Sequence, residues 1–187
     1  MRVNAARMLA AGVAAVAAAG LLGACSSTEP DQPQSQQQEQ NSPVTKDGKH
    51  GPFFAECGGI SDQVIAEQTR VTGLTKTAVN SVGCQWLAGG GILGPHFSFN
   101  WFRGSPIGRE RKTEELSRDS VEDITIEGHP GFIAVGSDPM LGEHLCEIGI
   151  QFNDDFIEWS VSFAEKPFPP ACDVARELTR QSIVNAK

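Results

Sequence analysis

Basic residues are scarce in this chain: 15 Lys and Arg stand against 23 Asp and Glu, for a formal charge of −8. That deficit argues against nucleic acid as a partner, because phosphates must be neutralised by cations, and against docking on anionic lipid headgroups. Catalytic signatures are missing as well. His50, His96, His129 and His144 fall in no H-E-x-x-H or triad pattern. Ser137 sits in Gly136-Ser137-Asp138-Pro139 and not in a G-x-S-x-G elbow, so it reads as a turn residue. No C-x-x-C occurs, and His144 beside Cys146 lacks the rest of a zinc set. Asp154-Asp155 lacks the run of acidic ligands that a calcium loop needs. The Gly89–Pro95 loop has no Lys-Ser/Thr and leads into no helix, which excludes a phosphate loop. The expectation is a chain without catalytic residues, metal or cofactor, and not an enzyme.

Beyond residue 24 there is no long apolar run either, so membrane attachment rests on the first 25 residues, MRVNAARMLAAGVAAVAAAGLLGAC. Arg2 and Arg7 make a basic start, Met8–Leu22 carries no charge, and the small residues Gly23 and Ala24 precede Cys25. This is the pattern of an export signal. The run falls short of the roughly 20 residues that spanning takes, and it ends at small residues instead of a basic stop. Leu22-Gly23-Ala24-Cys25 resembles a bacterial lipobox. That implies diacylglycerol on the Cys25 sulfur, cleavage before Cys25 and acylation, for instance by palmitate, of the new amino terminus. The predicted location is the extracytoplasmic face of the cell membrane, held by two or more acyl chains where one binds only marginally. Loss of residues 1–24, which carry two arginines and no acid, takes the formal charge to −10.

With Cys25 assigned to lipid, Cys57, Cys84, Cys146 and Cys172 remain, an even number in an exported chain and so two disulfides. Of the three possible pairings, Cys57–Cys84 with Cys146–Cys172 is favoured, because each joins the edge of a helix to a nearby strand.

Residues 25–51 are dominated by Gln, Ser and Pro with almost no apolar side chains. They read as a disordered tether, unable to bury surface against its ordering entropy. About 25 such residues have a root-mean-square span of roughly 25–30 Å. Residues 52–187 read as one globular domain. Ser61 caps a helix with Asp62 in its first turn, Val64, Ile65, Gln68 and Val71 on one side and Gly73 as its stop. Phe97, Phe99 and Trp101 alternate with Ser98 and Asn100, the period of a half-buried strand. Residues 109–120 predict a charged helix that packs loosely on an edge, with Glu114–Arg118 paired. Residues 122–126 and 132–135 predict short strands turning at residues 128–131. Cys146, Ile148, Ile150 and Phe152 share one strand face; Ile157, Trp159, Val161 and Phe163 share another, against Glu158, Ser160 and Ser162. Asn153-Asp154-Asp155 turns between those strands. A last helix starts near Ala171 with Val174, Ala175 and Leu178 as its apolar stripe. The fold class is α+β: a two-layer, disulfide-stapled domain whose antiparallel sheet is covered on one face by helices and solvated on the other.

The lipobox, the Gln-rich tether, the Cys57-Gly58-Gly59-Ile60-Ser61 helix opening, the Cys84-x-Trp86 strand and the late Cys172-Asp173-x-Ala175-x-Glu177-Leu178 helix are similar to an actinobacterial lipoprotein family of unknown function. The likeness covers nearly the whole domain. It implies an actinobacterial envelope location and anchoring at Cys25, and it carries no catalytic residue across. Two readings follow. The first is a membrane-anchored, non-enzymatic binding module for an envelope protein or other envelope component. The alternative is a carrier of an apolar lipid or glycolipid between sheet and helices, resting on the aromatic strands and the Gly89–Gly94 loop.

Overall fold

The three strands with alternating apolar residues lie together at the centre of one antiparallel sheet. The computed structural model describes residues 49–89 and 93–187. Seven strands, β1 (Thr75–Asn80), β2 (Gly83–Leu87), β3 (His96–Phe102), β4 (Ser120–Ile126), β5 (His129–Asp138), β6 (Gly142–Phe152) and β7 (Asp155–Ser162), run in the order β1-β2-β3-β7-β6-β5-β4. Every neighbouring pair is antiparallel. Three α-helices complete the domain: α1 (Asp62–Thr69), α2 (Ile107–Ser117) and α3 (Ala171–Asn185).

Register puts Phe97, Phe99 and Trp101 opposite Val161, Trp159 and Ile157, and Ile148 opposite Trp159, so one sheet face is continuous and apolar. It is covered by α1, α3 and a 3-10 turn at Glu56–Gly59, with Ile65, Val174, Ala175 and Leu178 buried against it. Burial of the Ile65, Val174 and Leu178 side chains stabilises the fold by about 1.5–3 kcal/mol each. Ser61 caps α1 by accepting from the Val64 N–H, as its position predicts. The helix ends earlier than Gly73, at Arg70 in the left-handed region.

Both disulfides form in the favoured pairing, Cys57–Cys84 and Cys146–Cys172, with Cα separations of 5.1 Å each. The motifs of the sequence prove to be joints between layers. Gly58 has φ +67°, and a Cβ there would meet the Phe99 ring at 2.8 Å and Ser182 Oγ at 2.6 Å, so only glycine lets the turn reach the sheet. Trp86 stacks on Trp159 at 5.8 Å and donates its Nε1–H to Asp62 of α1 at 2.8 Å. Trp159 donates its own to Ser182 of α3 at 2.9 Å.

Helix α2 departs from expectation in where it lies. It packs on the opposite face from α1 and α3, where alternation turns Glu147 and Glu158, and there Glu147, Glu158 and Ser160 are buried with Phe132, Ala134 and Phe156. The sheet's second face is thus partly covered and not wholly solvated. Strand β1 has almost no apolar content and lies exposed at the sheet edge, which is why alternation gave no sign of it.

Candidate functional site

The polar cluster beneath α2 is the most unusual chemistry in the described domain. The helix has one buried side chain, Glu114; of its two large apolar residues Ile107 is half-buried and Leu116 is 81% exposed. Charge therefore holds it in place. Arg118, just past its last turn, donates from Nε to Glu147 Oε2 at 2.6 Å and lies 3.0 Å from Glu114 Oε2, the i,i+4 pair read from the sequence. Ser160 donates to Glu147 Oε1 at 3.1 Å, and Arg111 is paired with both Glu115 and Asp123 of β4. Glu158 lies on the same face of the sheet, 6% exposed, and its buried Oε2 has no hydrogen-bond partner.

One guanidinium thus faces three buried carboxylates, and the arrangement holds protons. Burial, with added repulsion from Glu110, Glu147 and Glu114, pushes the Glu158 carboxyl up to about 8 against a partial opposing pull from Arg118. Burial likewise raises Glu114 to about 7, reinforced by its hydrogen bond with Glu147. Half-buried His96, on the same face of β3, is shifted the other way: burial lowers it, and the charge of Glu147 opposes that only in part. Desolvation disfavours the charged form of either kind of group, which accounts for both directions. Among the described residues no group of three or more His, Cys, Asp or Glu side chains has the geometry to hold a metal ion.

A second constellation fixes the chain where the domain begins. Asp155 is fully buried and accepts from His50 Nδ1 at 2.9 Å, the Gly104 N–H at 2.8 Å and the Gly51 N–H at 3.2 Å. Burial alone would raise its carboxyl; the hydrogen bonds from His50, Gly104 and Gly51 outweigh that and hold it below its ordinary value. The Asp154 N–H donates to the Lys49 carbonyl at 3.1 Å, and Asn153 Nδ2 to the His50 carbonyl at 3.3 Å. So Asp155 is the first residue of β7 and not part of the turn, while His50 and Gly51, read as the end of the tether, are bound to the sheet.

The other residues weighed from the sequence are dispersed. Ser137 Oγ donates to Asp119 Oδ2 at 2.6 Å with no histidine between them. The His144 ring contacts the Gly142 carbonyl at 3.2 Å, and His129 packs on Phe152 at 4.4 Å between ring centroids. Phe97, Phe99, Trp101, Trp159 and Phe163 are each 6% exposed or less and contact other aromatics, for example Phe97 with Phe163 at 5.4 Å and Phe99 with Trp159 at 5.5 Å. Cys25, the signal and most of the tether lie outside the described residues, as do Gly90, Gly91 and Ile92. Among the described residues no helix is long and apolar enough to cross a membrane.

The buried carboxylates were not legible as a site. Glu158-x-Ser160 on an alternating strand reads as its solvent face, and only the Glu114–Arg118 spacing hinted that α2 carries a fixed charge pair.

The relatives named "Putative lipoprotein LprB" in Mycobacterium tuberculosis and Mycobacterium bovis are 74% identical over 147 residues, covering 79% of this chain and 80% of theirs. The protein of that name in Mycobacterium leprae is 71% identical, covering 79% of this chain and 78% of its own. No solved structure matches. The profile described as Protein of unknown function (DUF3558) matches residues 20–185, and the chain belongs to that family.

Proposed function

We propose that this protein is a lipid-anchored, extracytoplasmic binding domain, acylated at Cys25 after removal of residues 1–24, that meets an envelope protein or another envelope component on its surface. The lipobox-like Leu22-Gly23-Ala24-Cys25 supplies the anchor, and the mycobacterial relatives carry a lipoprotein name. Two disulfides in the domain fit an oxidising compartment outside the cytoplasm. The observation that carries the binding reading over the carrier reading is the aromatic core. Trp86, Phe97, Phe99, Trp159 and Phe163 fill the space between sheet and helices with one another, which leaves the surface for recognition. A carrier instead needs an apolar cavity between those layers.

Native intact mass spectrometry of the exported protein tests both halves. The expected result is a covalent acyl mass on the chain starting at Cys25, lost in Cys25→Ala, with nothing retained non-covalently. A lipid retained through delipidation of the vesicle fraction would overturn the surface-binding reading in favour of carriage. A normal acyl mass on Cys25→Ala would overturn the anchor.

A further inference from the structure

The end of the domain at which residues 1–48 attach differs from the rest of its surface. Seven large apolar side chains are notably exposed among the described residues: Phe53, Val79, Val82, Leu93, Leu116, Met140 and Val184. Four of these belong to the attachment end. Phe53, 60% exposed, stands edge-on to Trp101 at 5.6 Å, and its backbone exchanges two hydrogen bonds with Lys187. The Trp101 N–H donates to the carbonyl of Val82, in the β1–β2 turn, and Val79 lies just before that turn. Val184, also 60% exposed, occupies the last turn of α3, three residues before Lys187. Arg103 lies over the Trp101 ring at 4.9 Å, with its side chain half exposed.

Charge differs here too. Asp155 at this end is buried and occupied by His50, Gly51 and Gly104, so it presents no charge to solvent. Lys49, Arg103 and Lys187 stand against the exposed acids Glu56, Glu127 and Asp154, which brings this end near charge balance while residues 25–187 carry −10. An exposed aromatic, aliphatic side chains and an arginine guanidinium resting over an indole are what a lipid–water interface accommodates.

We propose that this end, formed by Phe53, Val82 and Val184 with Lys49 and Arg103, lies against the bilayer that holds the acyl chains of Cys25. The proposal rests on the anchored reading above. The occupant follows from connectivity: the chain reaches the domain at Lys49, and the Asp155 clamp fixes that point to the β6–β7 turn. Anchoring at Cys25 through fewer than 30 residues keeps the domain at an effective concentration on the order of millimolar relative to the membrane. A contact with an intrinsic Kd of about 0.1 mM would then be about nine-tenths occupied. The clamp converts an anchor into an orientation, leaving the β5–β6 loop, at the opposite ends of the strands, turned away from the lipid.

The test is amide hydrogen exchange on the exported, acylated chain in phosphatidylcholine vesicles, against the same chain in detergent, after intact mass has verified acylation. Exchange in residues 80–83, 103–105 and 184–187 is expected to slow about tenfold on vesicles, with residues 139–142 unchanged. Phe53→Ser with Val184→Ser should bring the protection below about twofold. Both side chains are 60% exposed, so this variant keeps the core. Acylated protein with equal exchange in both states overturns the docking and leaves the anchor standing. An absent acyl mass overturns the anchor instead. Docking is then read on residues 25–187 coupled through Cys25, the cysteine outside both disulfides, to a maleimide phospholipid: protection supports it and its absence refutes it.

Discussion

Replacing Glu158 by glutamine should stabilise this protein at neutral pH and leave it nearly unchanged in acid. In the native state burial holds the Glu158 carboxyl up to about 8, against an ordinary value of 4.5. Below 4.5 folded and unfolded chains both carry the proton, and the group contributes no pH dependence. Above it the unfolded chain releases the proton while the folded chain keeps it. Stability then falls by about 1.4 kcal/mol per pH unit until the folded value is passed. Between pH 4.5 and 7 the loss amounts to about 3 kcal/mol, a large share of a typical 5–15 kcal/mol. Glutamine has nearly the same shape, cannot ionise, and fills a site whose Oε2 has no partner to lose.

Urea unfolding followed by tryptophan fluorescence, with disulfides intact, measures this directly from pH 4 to 8. The two proteins should agree within about 0.5 kcal/mol at pH 4 and separate by about 3 kcal/mol at pH 7, the variant being the more stable. Glu114 titrates over the same range but is present in both proteins, so the difference isolates Glu158. Parallel curves would refute the claim that a buried, protonated carboxyl lies under α2. The same charging should be felt locally. Helix α2 is held by Arg118 and Arg111 pairs and not by apolar burial, so its amides should be the first to lose protection as pH rises toward 8.

Two further perturbations probe the joints of the domain. Asp155→Ala removes a fully buried acceptor that serves three donors and should cost about 2–4 kcal/mol in urea unfolding, with residues 49–52 becoming open to protease. Because the Asp155 carboxyl is held below its ordinary 3.8, the wild type should lose this contribution only as pH falls below 3.8, and an acid titration flat through that range would contradict the clamp. Replacing Cys57 and Cys84 together by serine opens a loop with a separation of 27 residues and should lower stability by about 3.5 kcal/mol in the chain-entropy model, which the same denaturation measures.

What could be read from the sequence follows one physical rule. Elements whose fate is decided by apolar periodicity were legible: β3, β6, β7, α1 and α3 all present their alternating or helical apolar residues to a single core. The disulfide pairing was legible because each bond joins neighbours in that core, the Glu56–Gly59 turn to β2 and α3 to β6. Strand β1 was not, since Thr75–Asn80 is exposed at an edge and is held in the sheet by backbone pairing to β2, to which side-chain polarity is blind. The turn between β4 and β5 moved for a similar reason. Glu127 and Gly128 take positive φ and make the bend, which lets His129 and Pro130 run in the strand.

The buried carboxylates escaped a reading by periodicity because they obey it. Glu147 and Glu158 alternate with apolar neighbours as solvent-facing residues should, and β6 and β7 are built correctly whether water or α2 lies above them. What changes their character is a helix with almost no apolar face, which periodicity would leave at an edge. Its seat on the sheet is instead set by Arg118 reaching Glu147, a pairing 29 residues apart in the chain. Once α2 is there, desolvation turns ordinary surface glutamates into groups that hold protons near neutrality. A charged helix over a polar sheet face is stable only while that proton count is kept. The loss of stability expected between pH 4.5 and 8 therefore arises at the contact between α2 and the sheet, while the acid side belongs to the Asp155 clamp.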